Sequence, residues 1–535
     1  MRRLGWLLVA FGVIGACEEG VSTFSVPGPS SEPLCEPGET RACYDGPDGT
    51  EGVGECEPGQ RTCDGAGRSW GPCVGAHLPE PENCATDADE NCDGLASCAE
   101  TLFSWRFGGD RDETVTRIDV DDAGAIYLQG HYRDPFELGG QMLATDNGTR
   151  DVFVLKLDPD GEVAWVRTFY GPSHLSPRGL AVSADARVGV AIGARGAVTT
   201  EGAEPLDGES GDDVLVAMLE QDGSLAWWQR FGDDEGQRPE EIAFLPDGGM
   251  VVVGGASGTI DFGGGPQTSF DAEADVFVAV FEQDASLRWS RMVAGIDQQR
   301  ARAVAVHDDG RIAVVGGAWG QVDFGGGPLI AAGDADAFLW VMSSAGEHRF
   351  SDRWGDDAFD TAYDVAFDED GSVMLVGRFE GDLPVGPDVH GASGGAGFGI
   401  KISPEGHRLW SRAWGTVNGG AYGVAFDSLG RAVVSGFYED VLTFGQSVLP
   451  PGGLREPQVM VLKLEADGTP VWGRGLAVAG NQTSSDAFRA WRVVEVDAED
   501  DIHLAGFVEG SFDFGDDAEH AEPGGTDAFV MTLAP

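Results

Sequence analysis

The chain has 535 residues, 42% of them hydrophobic, and carries 90 Asp and Glu against 34 Lys and Arg, a formal net charge of -56. That balance excludes nucleic acid as a partner, since binding phosphates requires a basic face that releases counterions. Cations and basic partners fit the charge, and excess acid also keeps an exported protein soluble.

Arg2 and Arg3 precede an apolar run from Leu4 to Ala16, too short to span a bilayer but suited to the central region of a secretory signal over residues 1–16. The run ends Ile14-Gly15-Ala16-Cys17, which resembles a bacterial lipoprotein box with Ile in place of the usual Leu. The resemblance implies cleavage before Cys17, a lipid on that residue, and attachment at the outer membrane or cell surface by the lipid anchor only. A plain secretory signal, with secretion and a thiol at Cys17, is the alternative. Residues 17–34 are rich in Ser, Pro, Gly and Glu and lack the apolar content to fold, as in a tether.

Residues 35–100 form a second region. Setting Cys17 aside leaves eight of the nine cysteines, Cys35, Cys43, Cys56, Cys63, Cys73, Cys84, Cys92 and Cys98, in a stretch with few large apolar residues. Such a segment relies on disulfides for stability and implies an oxidising compartment. CEPGETRAC (Cys35 to Cys43) and CEPGQRTC (Cys56 to Cys63) look like a duplication, and the pairing of eight cysteines stays open. Zinc is the competing use of clustered Cys, but no CxxC pair is present. Asp89, Asn91, Asp93, Gly94 and Glu100 fit the spacing of a calcium loop, with Asp87 as a further carboxylate. The flanks lack the helical period of an EF-hand, and an acidic disulfide loop without an ion is the other reading. PEPENCATDADENCDG resembles the Asp- and Cys-rich metal-binding motif of many myxobacterial surface proteins, which implies the same ligand set.

From residue 101 to 535 one plan repeats. DVFVLKLDPDGEVAW (Asp151 to Trp165) reads as two strands around an Asp-Gly turn of type I′, and copies begin at Asp213, Asp275, Asp336 and Gln458. The terminal aromatic falls at Phe103, Trp165, Trp227, Trp289, Phe350, Trp410 and Trp472, spaced 62, 62, 62, 61, 60 and 62 residues apart. Between the hairpins lie further strand pairs such as EIAFLPDGGMVVVGG (Glu241 to Gly255) and DVAFDEDGSVMLVG (Asp364 to Gly377). Four short strands per period without helical patterning predict β-propeller blades. A lone fourth strand, LFSWRFG (Leu102 to Gly108), opens the array and a lone third strand closes it. The expected fold is therefore all-β, a seven-bladed propeller whose termini share one blade, with the Trp packing between blades. GTIDFGGG (Gly258 to Gly265) and its echoes are expected to connect the second and third strands rather than to cradle phosphate. DTAYDVAFDEDGSVMLVG (Asp360 to Gly377) resembles the unit of bacterial β-propeller repeat proteins, a family that implies the fold and no single activity.

Loops joining the fourth strand to the next first strand open on the channel face, and several are acidic. Asp110, Asp112, Asp233, Asp234, Asp356 and Asp357 are candidates there for holding calcium or a basic segment of a protein or glycan partner, although Asp also serves plain turns. No HExxH or GxSxG motif occurs, and His131, His307 and His503 sit in or beside strands. The sequence thus points to an exported, monomeric, non-catalytic binding or adhesion platform stabilised by calcium. A propeller enzyme acting on glycans or small molecules, and a structural envelope component, are the rivals.

Overall fold

The computed structural model describes residues 35–46, 52–78, 99–109, 111–145, 148–208, 211–415, 417–451, 458–476, 478–479, 494–509, 511–512, 514 and 525–535. These fall into two compact units, one before residue 81 and one comprising the repeats. Among them there is no α-helix. Cys17, Cys84, Cys92, Cys98, Asp87, Asp89, Asn91, Asp93 and Asp110 lie outside the described residues.

In the first unit the two copies of the duplicated segment pair with each other. Thr40–Cys43 runs antiparallel to Gly59–Thr62, with Cys43 opposite Gly59. Disulfides Cys35–Cys63 and Cys43–Cys73 tie this ribbon, and Cys56 is oxidised as well. The Arg41 guanidinium lies 4.2 Å from the Trp70 ring centroid, and Asp64 caps the following turn by accepting from the amides of Ala66 and Arg68. A two-stranded ribbon has too little core to persist alone, so its cross-links carry the unit.

The second unit is a seven-bladed β-propeller. Each blade is an antiparallel sheet of four strands lettered a to d outward from the channel, and the two-residue strand Thr199–Thr200 adds a fifth at the outer edge of the first. The a strands are Thr114–Val120, Leu175–Val182, Gln237–Phe244, Gln299–Val306, Thr361–Phe367, Gly420–Phe426 and Val494–Val496, in blades 1 to 7. Each packs on the next, and the seventh packs on the first. The lone first strand, Thr101–Phe107, pairs with the last, Thr526–Leu533, in register Phe107 to Ala528, and so becomes strand d of blade 7. Arg106 and Asp527, 421 positions apart, form a buried ion pair across this junction, with Nε to Oδ2 at 2.9 Å. Ala99 and Glu100 join the same unit, since the amide of Ala534 donates to the Glu100 carbonyl at 2.8 Å.

Apolar clusters fill the spaces between successive blades, such as Val251, Val253, Val278, Val314 and Trp340 between blades 3 and 4. The repeating Trp belongs to these seams. Trp165, Trp227, Trp289 and Trp410 each donate their indole N–H at 2.9 Å to a carbonyl in the outer turn of the following blade, that of Gln221, Gln283, Ser344 and Ala466. The ring lies on a turn residue with φ near +80°. That residue is Gly223 under Trp165, Gly346 under Trp289, Gly406 under Phe350, Gly468 under Trp410 and Gly161 under Phe103.

The outer turn differs from the expected type I′. Only Gly161 of the Asp-Gly pair has positive φ, and its amide donates to the Asp158 carbonyl at 2.9 Å. The turn is thus a type I turn closed by a left-handed glycine and a bulge. The Asp158 carboxylate accepts from the amides of Asp160 and Glu162, which stabilises that geometry. In GTIDFGGG, Asp261 accepts from the amides of Gly263 and Gly265 at 2.8 and 2.9 Å, so these amides are engaged. Phe262 is buried against Phe231 and Phe277, which makes the motif a b to c connection that plugs the seam. Blade 5 departs from the plan: strands Val373–Val385 and Asp388–Ile402 continue as one long hairpin in place of that connection.

Deleting residues 102–109 removes the closing strand and should abolish a single cooperative unfolding transition, checked by circular dichroism on denaturant titration. At the seams, Gly468→Ala places a Cβ about 2.8 Å from the Trp410 ring in a left-handed conformation and should lower stability by about 1–3 kcal/mol. Ala285, with φ of 70°, occupies the same turn position under Trp227. Ala285→Gly should therefore raise stability by up to about 1 kcal/mol, read from paired melting curves.

Candidate functional site

The a strands present the side chains that line the channel, and an irregularity in them decides which ones. Six blades carry a β-bulge at the same position, leaving Thr116, Arg178, Glu240, Arg302, Tyr363 and Tyr422 as the extra residue. A bulge breaks the in-and-out alternation and re-aims the side chain it carries. Here it sets a ring of polar and aromatic groups into the half of the channel that faces the d to a and b to c loops. The cavity enclosed by the seven strands has a volume of 380 Å³.

On one side of this ring the groups are cationic. Arg117 donates from Nε to Glu241 at 2.8 Å and from a terminal nitrogen to the Glu240 carbonyl at 2.9 Å. Arg178 reaches Glu240 at 3.4 Å, and its Nε is buried without a hydrogen bond among the described residues. Burial pushes the Arg178 guanidinium down to about 10; Glu240 opposes the shift, while Arg238, Arg117 and Arg302 add to it. Two positions nearer the opening stand Arg238 and Arg300, which line a side cavity of 190 Å³ between blades 3 and 4 with Asp212, Ser257 and Gln298. On the other side are aromatic groups. Tyr363 and Tyr422 are buried and pack at 4.4 Å between centroids, and the Arg302 guanidinium lies 5.8 Å from the Tyr363 ring.

Deeper in the channel the groups are acidic. Asp119 of blade 1 and Glu495 of blade 7 occupy the same register position, where the other five blades have Ala181, Ala243, Ala305, Ala366 and Ala425. Burial raises Asp119 to about 7 against two backbone amides, those of Val182 and Val120, with repulsion from Glu241 adding to the rise. Burial also raises Glu495 well above the usual carboxylate range, reinforced by Asp119, Asp364 and Glu241. Asp364 accepts from the Val424 amide at 2.9 Å.

The acidic loop residues serve mainly the turns that hold them. Asp233 accepts from the amides of Glu235 and Thr259 at 2.9 and 2.8 Å, which joins a d to a loop to its neighbouring b to c loop. Asp356 does the same with Ala358 and Asp382 at 2.8 and 2.7 Å. Asp112 pairs with Arg133 at 3.1 Å, while Asp234 and Asp357 are exposed. These residues stand at junctions two or three blades apart and do not converge. Among the described residues no three His, Cys, Asp or Glu side chains are grouped to hold a metal ion, and Glu100 is exposed. His131 is held neutral, burial and the nearby Arg150, Arg133 and His174 pushing it down to about 3. His503 bridges Asp497 and Thr532.

The arginines were present in the sequence as SPRGLAV, QRPEEIAF and QRARAVAV, four of them in three successive a strands. Their role becomes visible only when the repeats are superposed at the bulge.

No protein-family model and no curated protein sequence matches this chain. Solved structures similar to it include a catalytically inactive virginiamycin B lyase from Staphylococcus aureus with quinupristin, 9% identical with a TM-score of 0.40, covering 81% of this chain and 99% of that one. YCF48 bound to a D1 peptide is 8% identical, TM-score 0.36, covering 82% and 98%. A glucose dehydrogenase is 12% identical, TM-score 0.35, covering 67% and 96%.

The channel acids tie stability to pH. A carboxyl raised by folding contributes stability that is complete below its unfolded pKa of about 4 and is lost as pH rises through the folded value. Glu495→Gln removes one such charge and keeps the shape. Its melting temperature should match wild type at or below about pH 4 and exceed it by a gap that widens toward pH 8; a constant gap would contradict the assignment.

Proposed function

We propose that the propeller is a non-catalytic binding platform whose ligand enters the channel mouth between the arginines of blades 2 to 4 and the tyrosines of blades 5 and 6. The supporting observation is the run of six bulges, which directs Arg178, Glu240, Arg302, Tyr363 and Tyr422 at one opening. Guanidinium and phenol groups side by side supply charge-assisted hydrogen bonds and flat contact area at low entropic cost, the combination that dominates binding energetics. The fold supplies rigid strands behind them, so the site needs little ordering when a ligand arrives.

The reading includes an exported chain anchored by lipid at Cys17, with the Cys-rich unit as spacer. Calcium held by Asp87, Asp89, Asn91, Asp93 and Glu100 would neutralise that acidic loop and stiffen it. The platform would then project from the cell surface toward protein or glycan partners.

The test is incubation of the purified mature protein with glycan and envelope-protein arrays, with and without calcium. Retention of a partner, weakened about tenfold (~1.4 kcal/mol) by Arg178→Ala or Tyr422→Ala, is the expected result. Turnover of an array component, or no retained partner under either condition, would overturn it.

A further inference from the structure

The arginines at the channel mouth are not accounted for by the fold. The chain has 34 Lys and Arg against 90 Asp and Glu, so a cation placed at random has acids for neighbours. At this mouth the reverse holds. Arg117, Arg178, Arg195 and Arg238 share the carboxylates of Glu241, Glu240 and Asp212, while Arg300 stands near Glu240 and Glu273 and beside Arg302. Glu241 is taken by Arg117 at 2.8 Å and Glu240 by Arg178 at 3.4 Å. Asp212 is divided between Arg195 at 3.0 Å and Arg238 at 3.8 Å. Arg300 makes no side-chain hydrogen bond or ion pair among the described residues, and it is half-buried. Burial and the charge of Arg302 push its guanidinium down from the usual arginine range.

Gathering like charges in a partly desolvated pocket costs stability unless a counter-charge completes it. Nothing in the packing requires the cluster. The equivalent positions of blades 5 and 6 carry Thr361 and Gly420 where blades 3 and 4 have Arg238 and Arg300, and Tyr363 and Tyr422 where blade 4 has Arg302. The blades close without arginine there, so its presence on one side answers to something else. A guanidinium fork matches an oxyanion with two parallel N–H donors, and two adjacent blades present such forks into one 190 Å³ cavity.

We propose that Arg178, Arg238, Arg300 and Arg302 form a site for an oxyanion group of a small molecule or of the end of a larger ligand, with the Tyr363 and Tyr422 pair as the opposing wall. The proposal rests on the binding-platform reading and names the chemistry that its site recognises. Arg300 and Arg238 meet the anion at the opening. Arg178 and Arg302, one register step deeper, hold it against the tyrosines. Below them the channel presents the carboxyls of Asp119 and Glu495 in place of guanidiniums, so the ligand's charged partners lie at the mouth.

The full-length mature protein is melted at low ionic strength in inorganic phosphate, sulfate and glucuronate, with chloride at matched ionic strength as control. Expected is a saturable rise in melting temperature with at least one oxyanion; glucuronate alone identifies a carboxylate ligand, and phosphate or sulfate alone a tetrahedral one. Arg300→Gln and Arg178→Gln should each weaken that midpoint about tenfold or more. Without added anion, Arg300→Gln should melt no lower than wild type, because it relieves repulsion; a residue held there for structure would melt lower when removed. No shift beyond chloride, a non-saturating rise equal for all three anions, or a wild-type response from Arg300→Gln would overturn the site. An array partner that binds Arg300→Gln as it binds wild type, without competition from any oxyanion, refutes the oxyanion site and leaves the platform standing. A saturable oxyanion response with no array partner supports the site and removes the platform.

Discussion

The propeller depends on one contact repeated at six of its seven seams: the aromatic ring near the start of the outer strand, resting on a left-handed turn of the next blade. Sheets packed face to face gain most of their stability from burying apolar surface, which has no direction and permits sliding. The indole adds direction. Its N–H reaches a single carbonyl at 2.9 Å in four of the seams, and its face lies on a left-handed turn residue that is glycine in three of them and Ala285 in the fourth. Blade spacing is thereby set at the outer edge, where the sheets diverge and packing alone is weakest. At the terminal junction, where two separate ends of the chain complete one blade, the Arg106 to Asp527 ion pair is added.

With spacing set at the rim, the inner strands are free to be irregular. Six of the seven a strands are bulged at one register position, and every bulge changes which side chain meets the channel. A regular strand would offer the channel every second residue of an alternating pattern, as Ala305 does in blade 4. The bulge instead brings in polar and aromatic residues without disturbing the strand pairs on either side. Blade-to-blade differences in the inner strands are therefore concentrated at the mouth of the channel.

How far the sequence could be read follows from this division. Trp spacing, the alternation in each strand and the orphan strand at Leu102 all report on the rim and the ladder, where one residue type answers to one physical need; blade number and ring closure were legible for that reason. The turn type was only half legible, since Asp-Gly serves both a type I′ turn and the type I turn with a left-handed glycine seen at Gly161, and Asp158 decides between them. The channel was not legible from one repeat at a time. Arg178 and Arg302 sit at a position whose direction is set by the bulge, and no residue type announces a bulge. Acid in the loops was the louder signal, yet Asp233 and Asp356 are spent on neighbouring amides.

The distribution of the few cations completes the argument. Lys401 and Lys463 are buried beside Asp368 and Asp427, each closing an inner turn, and Lys156 sits over the Tyr127 ring while pairing with Asp121. Their carboxylates are fully or nearly buried, so these pairs satisfy one another and add nothing to the surface. The arginines of blades 1 to 4 are the contrast, because they gather at an opening where carboxylates are fewer than guanidiniums. On a protein of net charge -56, the field of distant carboxylates is screened within about 10 Å at ordinary ionic strength, so the potential at the mouth is set by the local cluster. Among the described residues this mouth is thus a local exception to the acidic balance of the chain.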